Sequence, residues 1–73
     1  MNYIKKANRY PSITEFINAG GFLNIGYQYG MEGVALATDE GGVVWEGKIE
    51  YESFDSLLDD AERGISKWIK ENW

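Results

Sequence analysis

The strongest constraint on this chain is an apolar stripe near its C-terminus that has the spacing of an α-helix. The stripe consists of Phe54, Leu57, Leu58, Ala61, Ile65, Trp68 and Ile69. Residues spaced by three and four positions share one face of a helix, and Ser53 precedes the stripe as a natural N-cap. A helix with one apolar face needs a second layer to cover it, so the rest of the chain must supply that layer.

A glycine interrupts this stripe at position 64, between Ala61 and Trp68. Glycine in a helix interior costs about 1 kcal/mol relative to alanine. Its position on the apolar face indicates that something packs too closely there for a side chain. We therefore expect Gly64 to mark a close approach between the helix and a sheet.

Three segments before this helix alternate between apolar and polar residues, as strands do. We predict strands over residues 22–29, 34–38 and 43–51, joined by turns at 30–33 and 39–42. The residues expected to face the helix are Leu23, Ile25, Tyr27 and Tyr29 in the first strand and Val43, Trp45, Ile49 and Tyr51 in the third. Because the linkers are short, the sheet should be an antiparallel meander.

The first helical segment follows Pro11. Ser12 and Glu15 match the S-x-x-E capping box, and Gly20 and Gly21 supply a C-terminal stop, so the pattern favours a helix over residues 13–19. A strand over the same residues is the alternative. Residues 1–10 show no clear period. Together the patterns predict one α+β domain over all 73 residues, with a lead-in of undefined order.

Cysteine and histidine are both absent. Their absence excludes thiol nucleophiles, Ser-His-Asp triads, zinc sites built from these residues and haem ligation through them. Chemistry by carboxylate, tyrosine or lysine side chains remains, and a chain of this size offers little material for a substrate cleft. We therefore expect a non-catalytic protein without a cofactor or metal. No stretch is apolar enough to cross a bilayer, and Asn8, Arg9 and Pro11 lie where a signal peptide would have its apolar stretch, so we expect a cytoplasmic location. The lack of cysteine is compatible with it.

Negative charge is concentrated in the second half of the chain. The net charge is −5, and nine acidic residues lie between Asp39 and Glu62 with Lys48 as the only base. This charge has the wrong sign for a nucleic-acid partner. Two interpretations stay open, namely a solvated surface or a docking face for a basic protein. The acids assigned to that docking face are Asp59, Asp60 and Glu62.

Aromatic residues are the second candidate for partner binding. One long helix covers only one face of a sheet well, so some aromatics should stay exposed, and tyrosine and tryptophan are enriched in interface hot spots. The candidates considered are Tyr27, Tyr29, Trp45, Tyr51 and Trp73. We expect Trp45 and Trp68 to join the core, whereas Trp73 either folds back or meets a partner. Tyr27, Tyr29 and Trp73 are therefore predicted to bind a partner.

The C-terminal part also resembles a known family. Trp45, Glu46 and Gly47, followed by the segments 53–61 (SFDSLLDDA) and 65–69 (ISKWI), resemble the β-β-β-α domain of HicB-type antitoxins. The whole chain also resembles small acidic bacterial proteins, which implies no activity. The patterns predict a protein-interaction module, and the alternative is an antitoxin or inhibitor of a basic, nucleic-acid-binding partner. Homo-oligomerisation is a further expectation, since a meander leaves two free edge strands.

Overall fold

The computed structural model describes residue 4, residues 9–27 and residues 32–73. The elements in chain order are α1 (Pro11–Asn18), β1 (Phe22–Ile25), β2 (Ala35–Asp39), β3 (Gly42–Glu46) and α2 (Phe54–Asn72). The three strands form one antiparallel sheet in the order β1-β2-β3, and α2 packs on it. The predicted α+β fold with a three-stranded meander is confirmed.

Helix α2 begins as the sequence predicts. Ser53 has extended backbone angles, and its hydroxyl accepts a hydrogen bond of 3.1 Å from the backbone N–H of Ser56. This bond satisfies one of the free N–H groups at the helix start. The buried side of the helix is formed by Leu57, Ala61 and Ile65. These three residues belong to the predicted stripe.

The close approach predicted at Gly64 is confirmed. A Cβ atom placed on Gly64 would overlap the indole ring of Trp45 from β3. Beneath this contact lies a buried cluster that consists of Ile13, Phe16, Ala37, Ala61 and Ile65. Trp45 and Trp68 are only partly buried but pack against that cluster, and the Trp68 ring meets Phe16 edge-on at 6.0 Å between centroids. Both tryptophans therefore join the core, as expected.

A β-bulge in β3 changes which residues face the helix. Ala37 pairs with Trp45 and Thr38 pairs with Val43, so Val44 is an extra residue without a partner across the strands. Val44 and Trp45 both pack against the buried cluster, whereas Val43 is exposed. The predicted alternation, with Val43 inward and Val44 outward, is therefore wrong, because one inserted residue reverses the alternation beyond it.

Two strands are also shorter than predicted. Strand β3 ends at Glu46 instead of continuing to residue 51, so Ile49 is exposed. Strand β1 ends at Ile25, and Gly26 follows with a φ of +122°, a left-handed conformation that turns the chain. Leu23 packs against the core as predicted, but Ile25 and Tyr27 are exposed. The last predicted residues of this strand, 28 and 29, lie outside the described residues.

The predicted capping box at the start of α1 is wrong. The helix begins at Pro11, its N-cap is Tyr10, and no side chain of the cap forms a capping hydrogen bond. Proline is well suited to the first helical position, which moves the start ahead of Ser12. The carboxylate of Glu62 in α2 takes over the capping role. It accepts hydrogen bonds from the N–H of Ser12, at 2.9 and 3.1 Å, and of Ile13, at 3.0 Å.

Candidate functional site

An open groove of about 320 Å³ lies between the end of β1, residues 50–53 and the first turns of α2. It is lined by Ile25, Tyr27, Val34, Glu50, Tyr51, Ser53, Phe54 and Leu57. These eight residues define what we call the groove. Six of them carry aromatic or aliphatic side chains, so the groove offers an apolar binding surface.

Two tyrosine hydroxyls hold the walls of the groove in place. The Tyr27 hydroxyl donates a hydrogen bond of 2.6 Å to the carbonyl oxygen of Ile49, which ties the end of β1 to the segment after β3. The Tyr51 hydroxyl donates to Asp60 of α2 at 2.6 Å and accepts from the N–H of Lys48 at 2.9 Å. These hydrogen bonds therefore connect the three parts of the chain that form the walls of the groove, namely the end of β1, residues 48–51 and α2.

The pKa of Tyr51 is raised above its usual value of about 10. The main cause is burial of the phenol, and the hydrogen bond to the Asp60 carboxylate adds to it, whereas the hydrogen bond from Lys48 acts in the opposite direction. A phenol is protonated at neutral pH even at its usual pKa, and the raised pKa of Tyr51 extends the pH range over which the hydroxyl donates to Asp60. Tyr51 thus connects residues 48–51 to α2 through the hydrogen bonds of its hydroxyl.

The large side chains of the groove are open to solvent. Tyr27 is 72% exposed and Phe54 is 60% exposed, while Leu57 is buried and forms the floor. The prediction that Phe54 lies on the buried stripe is wrong, since it belongs to the first turn of α2, where it borders the groove. Covering such residues is favourable by about 25 cal/mol per Å² of apolar surface. A partner that fills the groove would gain this free energy.

Acidic residues line or adjoin the groove, namely Glu50, Glu52 and Asp55, and we call these three residues its rim. Glu50 lines the groove, and Glu52 and Asp55 are exposed next to lining residues in the chain. A base also lies close to the groove, since the Nζ atom of Lys48 is 5.8 Å from the centroid of the Tyr51 ring. The N-terminus of α2 adds a partial charge of about +0.5. Among the described residues, the three carboxylates in or beside the groove outnumber these positive charges, so we expect this part of the surface to be negative.

The three acids predicted to dock a partner do different things in the fold. Asp59 is exposed. Asp60 accepts from Tyr51 and from Arg63, the latter at 3.2 Å. Glu62 caps α1, as described above. Two of the three are therefore engaged in hydrogen bonds that hold the fold.

The predicted aromatic residues are also separated. Tyr27 lines the groove at the start of α2, whereas Trp73 lies at the other end of that helix. The Trp73 ring packs edge-on against Trp68 at 6.1 Å, remains 56% exposed, and borders two hollows of about 460 and 540 Å³ beside α1. Trp73 thus folds back in part and stays accessible. Tyr29 lies outside the described residues.

A second apolar surface lies on the face of the sheet away from α2. Phe22, Thr38 and Val43 stand opposite one another in the pairing of the three strands, so their side chains share one face. Phe22 is 66% exposed and Val43 is 65% exposed. Sequence reasoning missed Phe22, Ile25 and Phe54 as candidates. The signal for Phe22 was present, because it alternates with the inward Leu23.

The chain matches no protein-family model, curated protein or solved structure. A functional proposal therefore depends on the geometry of the described residues. Among them, no group of three acidic side chains is arranged to hold a metal ion. None of the helices in this part of the chain is both long and apolar enough to cross a membrane.

Proposed function

We propose that the chain is a non-catalytic protein-interaction module that receives its partner in the groove. The supporting observation is the exposure of Tyr27 and Phe54, with Ile25, in one concave place of a very small fold. Exposed aromatic residues around a depression are typical of interface hot spots. The hydrogen bonds of Tyr27 and Tyr51 fix the walls in advance, which lowers the entropy cost of binding.

A non-catalytic role is supported by how the acids are used. Four of the nine acids between positions 39 and 62 accept hydrogen bonds from the protein itself. They are Asp39, Glu46, Asp60 and Glu62, which bond to nearby backbone N–H groups or side chains. These acids stabilise turns, helix ends and packing contacts through their hydrogen bonds, so a structural role accounts for them without a substrate.

An antitoxin or inhibitor of a basic, nucleic-acid-binding protein is the second candidate. The observation that favours it is the set of exposed acids between positions 39 and 62, which are Glu40, Glu50, Glu52, Asp55 and Asp59, together with Glu46, which also accepts hydrogen bonds from the backbone. Such a surface attracts a basic partner and gives an affinity that falls with salt. Of the acids assigned to docking by sequence, Asp59 is the one that fits this role best.

Affinity capture with a matched pair of variants tests the proposal. Phe54→Ser removes an exposed ring from the groove, and Phe22→Ser removes a similarly exposed ring from the open face of the sheet. We expect a stoichiometric partner that wild type and Phe22→Ser retain and Phe54→Ser loses. Loss with Phe22→Ser alone would place the interface on the sheet, and capture of no partner by wild type would contradict the proposal.

The same capture at low and high salt separates the two candidate functions. A partner held mainly by apolar contacts in the groove should survive about 0.5 M salt, where charge interactions are screened within a few ångströms. An inhibitor that neutralises a basic partner should release it under those conditions. In that case the released protein should also regain nucleic-acid binding in a filter-binding assay.

A further inference from the structure

We propose that the groove selects a short peptide segment of another protein in which apolar side chains are flanked by lysine or arginine. This inference rests on the proposed function and specifies the chemistry of the partner. The apolar surface of the groove comes from Ile25, Tyr27, Phe54 and Leu57. The negative charge comes from Glu50, which lines the groove, and from the exposed residues Glu52 and Asp55, which adjoin lining residues in the chain. An apolar side chain of the peptide would fill the apolar part of the groove, and flanking lysine or arginine residues would pair with the acidic rim.

The size of the groove favours a peptide segment over a large flat surface. Its volume of about 320 Å³ equals the space of roughly ten water molecules at about 30 Å³ each. That space holds one or two large side chains. A stable dimer interface buries about 800 Å² on each partner. Such an interface involves roughly 20 to 30 residues on each side, whereas eight residues line the groove, so the groove alone is too small to be the interface with a second copy of the chain.

Charge also argues against a second copy. Two copies that meet at this groove would bring Glu50, Glu52 and Asp55 of each protomer close to the same residues of the other. Each chain has a net charge of −5, so the whole molecules repel each other as well. A segment that carries lysine or arginine beside its apolar anchor is attracted instead of repelled, because its positive charges complement the negative rim.

The geometry of the rim limits where these positive charges belong. Lys48 lies near the Tyr51 ring, so the Tyr51 side of the groove already has a base. Glu52 and Asp55 flank Ser53 and Phe54, at the start of α2, where no base is adjacent in the chain. The positive residues of the peptide should therefore lie beside Glu52 and Asp55, whose two full charges exceed the partial positive charge at the start of α2. Its apolar anchor should lie between Tyr27 and Phe54.

Titration with synthetic peptides tests this inference. The probe is a short peptide in which leucines alternate with lysines, and the control peptide has glutamate at every lysine position. We expect the lysine peptide to shift the backbone amide signals of residues 25–27 and 49–57 in NMR spectra. The glutamate peptide should bind at least about tenfold more weakly, which corresponds to about 1.4 kcal/mol.

Matched variants separate a local rim effect from the effect of net charge. Glu50→Gln with Glu52→Gln removes two charges at the groove, and Glu40→Gln with Glu71→Gln removes two exposed charges elsewhere. The first pair should weaken binding of the lysine peptide several-fold at low salt, and the second pair should leave it nearly unchanged. Equal weakening by both pairs, or signal shifts spread over all the acids, would overturn the inference.

The outcomes also distinguish this inference from the proposed function. Equal binding of both peptides in the groove would overturn the charge selection and leave the interaction module intact. Absence of binding by the lysine peptide would overturn the inference, while capture of a partner that depends on Phe54 would still support the module. Concentration-dependent shifts of groove residues without peptide would indicate self-association and would likewise overturn it.

Discussion

Replacement of Gly64 by alanine tests the packing of α2 against the sheet. A Cβ atom at this position would overlap the Trp45 ring, with even its Cγ atom only 2.8 Å away. Ordinary carbon contacts are about 3.5 to 4.0 Å, so the ring must move by roughly 1 Å or more. Overpacking of this kind costs about 1 to 3 kcal/mol. Alanine recovers about 1 kcal/mol of helix propensity, so Gly64→Ala should destabilise the protein by about 1 kcal/mol net.

A double-mutant cycle with Trp45→Ala isolates this effect. Without the indole the added methyl group has space, so Gly64→Ala should now stabilise the protein by up to about 1 kcal/mol. The change of sign is specific to contact between these two residues. Urea unfolding followed by circular dichroism at 222 nm gives the free energy of unfolding of wild type, the two single variants and the double variant. If Trp45→Ala is only marginally stable, all four proteins are measured in the same concentration of sucrose, which stabilises the folded state. The same free-energy change in both backgrounds would refute the reasoning.

Three further predictions concern contacts that hold the fold. Glu62→Ala should lower the free energy of unfolding by about 2 kcal/mol, because it removes the cap of α1. Asp59→Ala, at an exposed position of the same helix, should lower it by less than about 0.5 kcal/mol. Equal effects of the two substitutions in urea unfolding would refute the capping role. The raised pKa of Tyr51 means that its stabilising effect is complete below about pH 10 and falls as the pH rises through the folded-state pKa. The stability difference between wild type and Tyr51→Phe should therefore shrink in strongly alkaline solution, and a constant difference would contradict the shift. Ser53→Ala should destabilise by about 1 kcal/mol in thermal unfolding, and an unchanged Tm would exclude its role as the N-cap of α2.

The capping role of Glu62 changes how the acidic surface must be tested. Joint neutralisation of Asp59, Asp60 and Glu62 would weaken the fold, because two of these residues accept internal hydrogen bonds. Loss of a partner in that triple variant would therefore not identify a docking face. Substitutions at Glu50 and Glu52 avoid this problem, since both residues are exposed.

The sequence predicted the features that depend on nearby residues in the chain. The stripe of α2 repeats over four turns, so its periodicity and the Ser53 cap were clear. Gly64 was informative because glycine lowers the stability of a helix relative to alanine. Its presence on the apolar face therefore indicated a neighbour too close for a larger side chain. The turn at residues 39–42 was also evident from Asp39 and the glycines, and the Asp39 carboxylate accepts from the N–H of Gly41 at 2.8 Å.

The features that sequence reasoning missed depend on distant contacts or on a single insertion. Ser12 and Glu15 have the local pattern of a capping box, but the actual cap comes from Glu62, fifty positions away. Val44 is one extra residue in β3, and nothing in its neighbours distinguishes a bulge from regular alternation. Phe54 fits the helical stripe, yet it is exposed in the first turn of α2, where it lines the groove. The groove therefore became visible only in three dimensions.

Site-specific photo-crosslinking from position 54 tests the central claim most directly. A benzophenone amino acid replaces Phe54 in the groove or, as a control, Lys70 at the exposed C-terminal end of the same helix. After irradiation in living cells, we predict one discrete adduct from position 54 and none from position 70, with a lysine- or arginine-flanked apolar segment of the partner at the crosslink. No adduct from position 54, or the same adducts from both positions, would contradict a partner that docks in the groove.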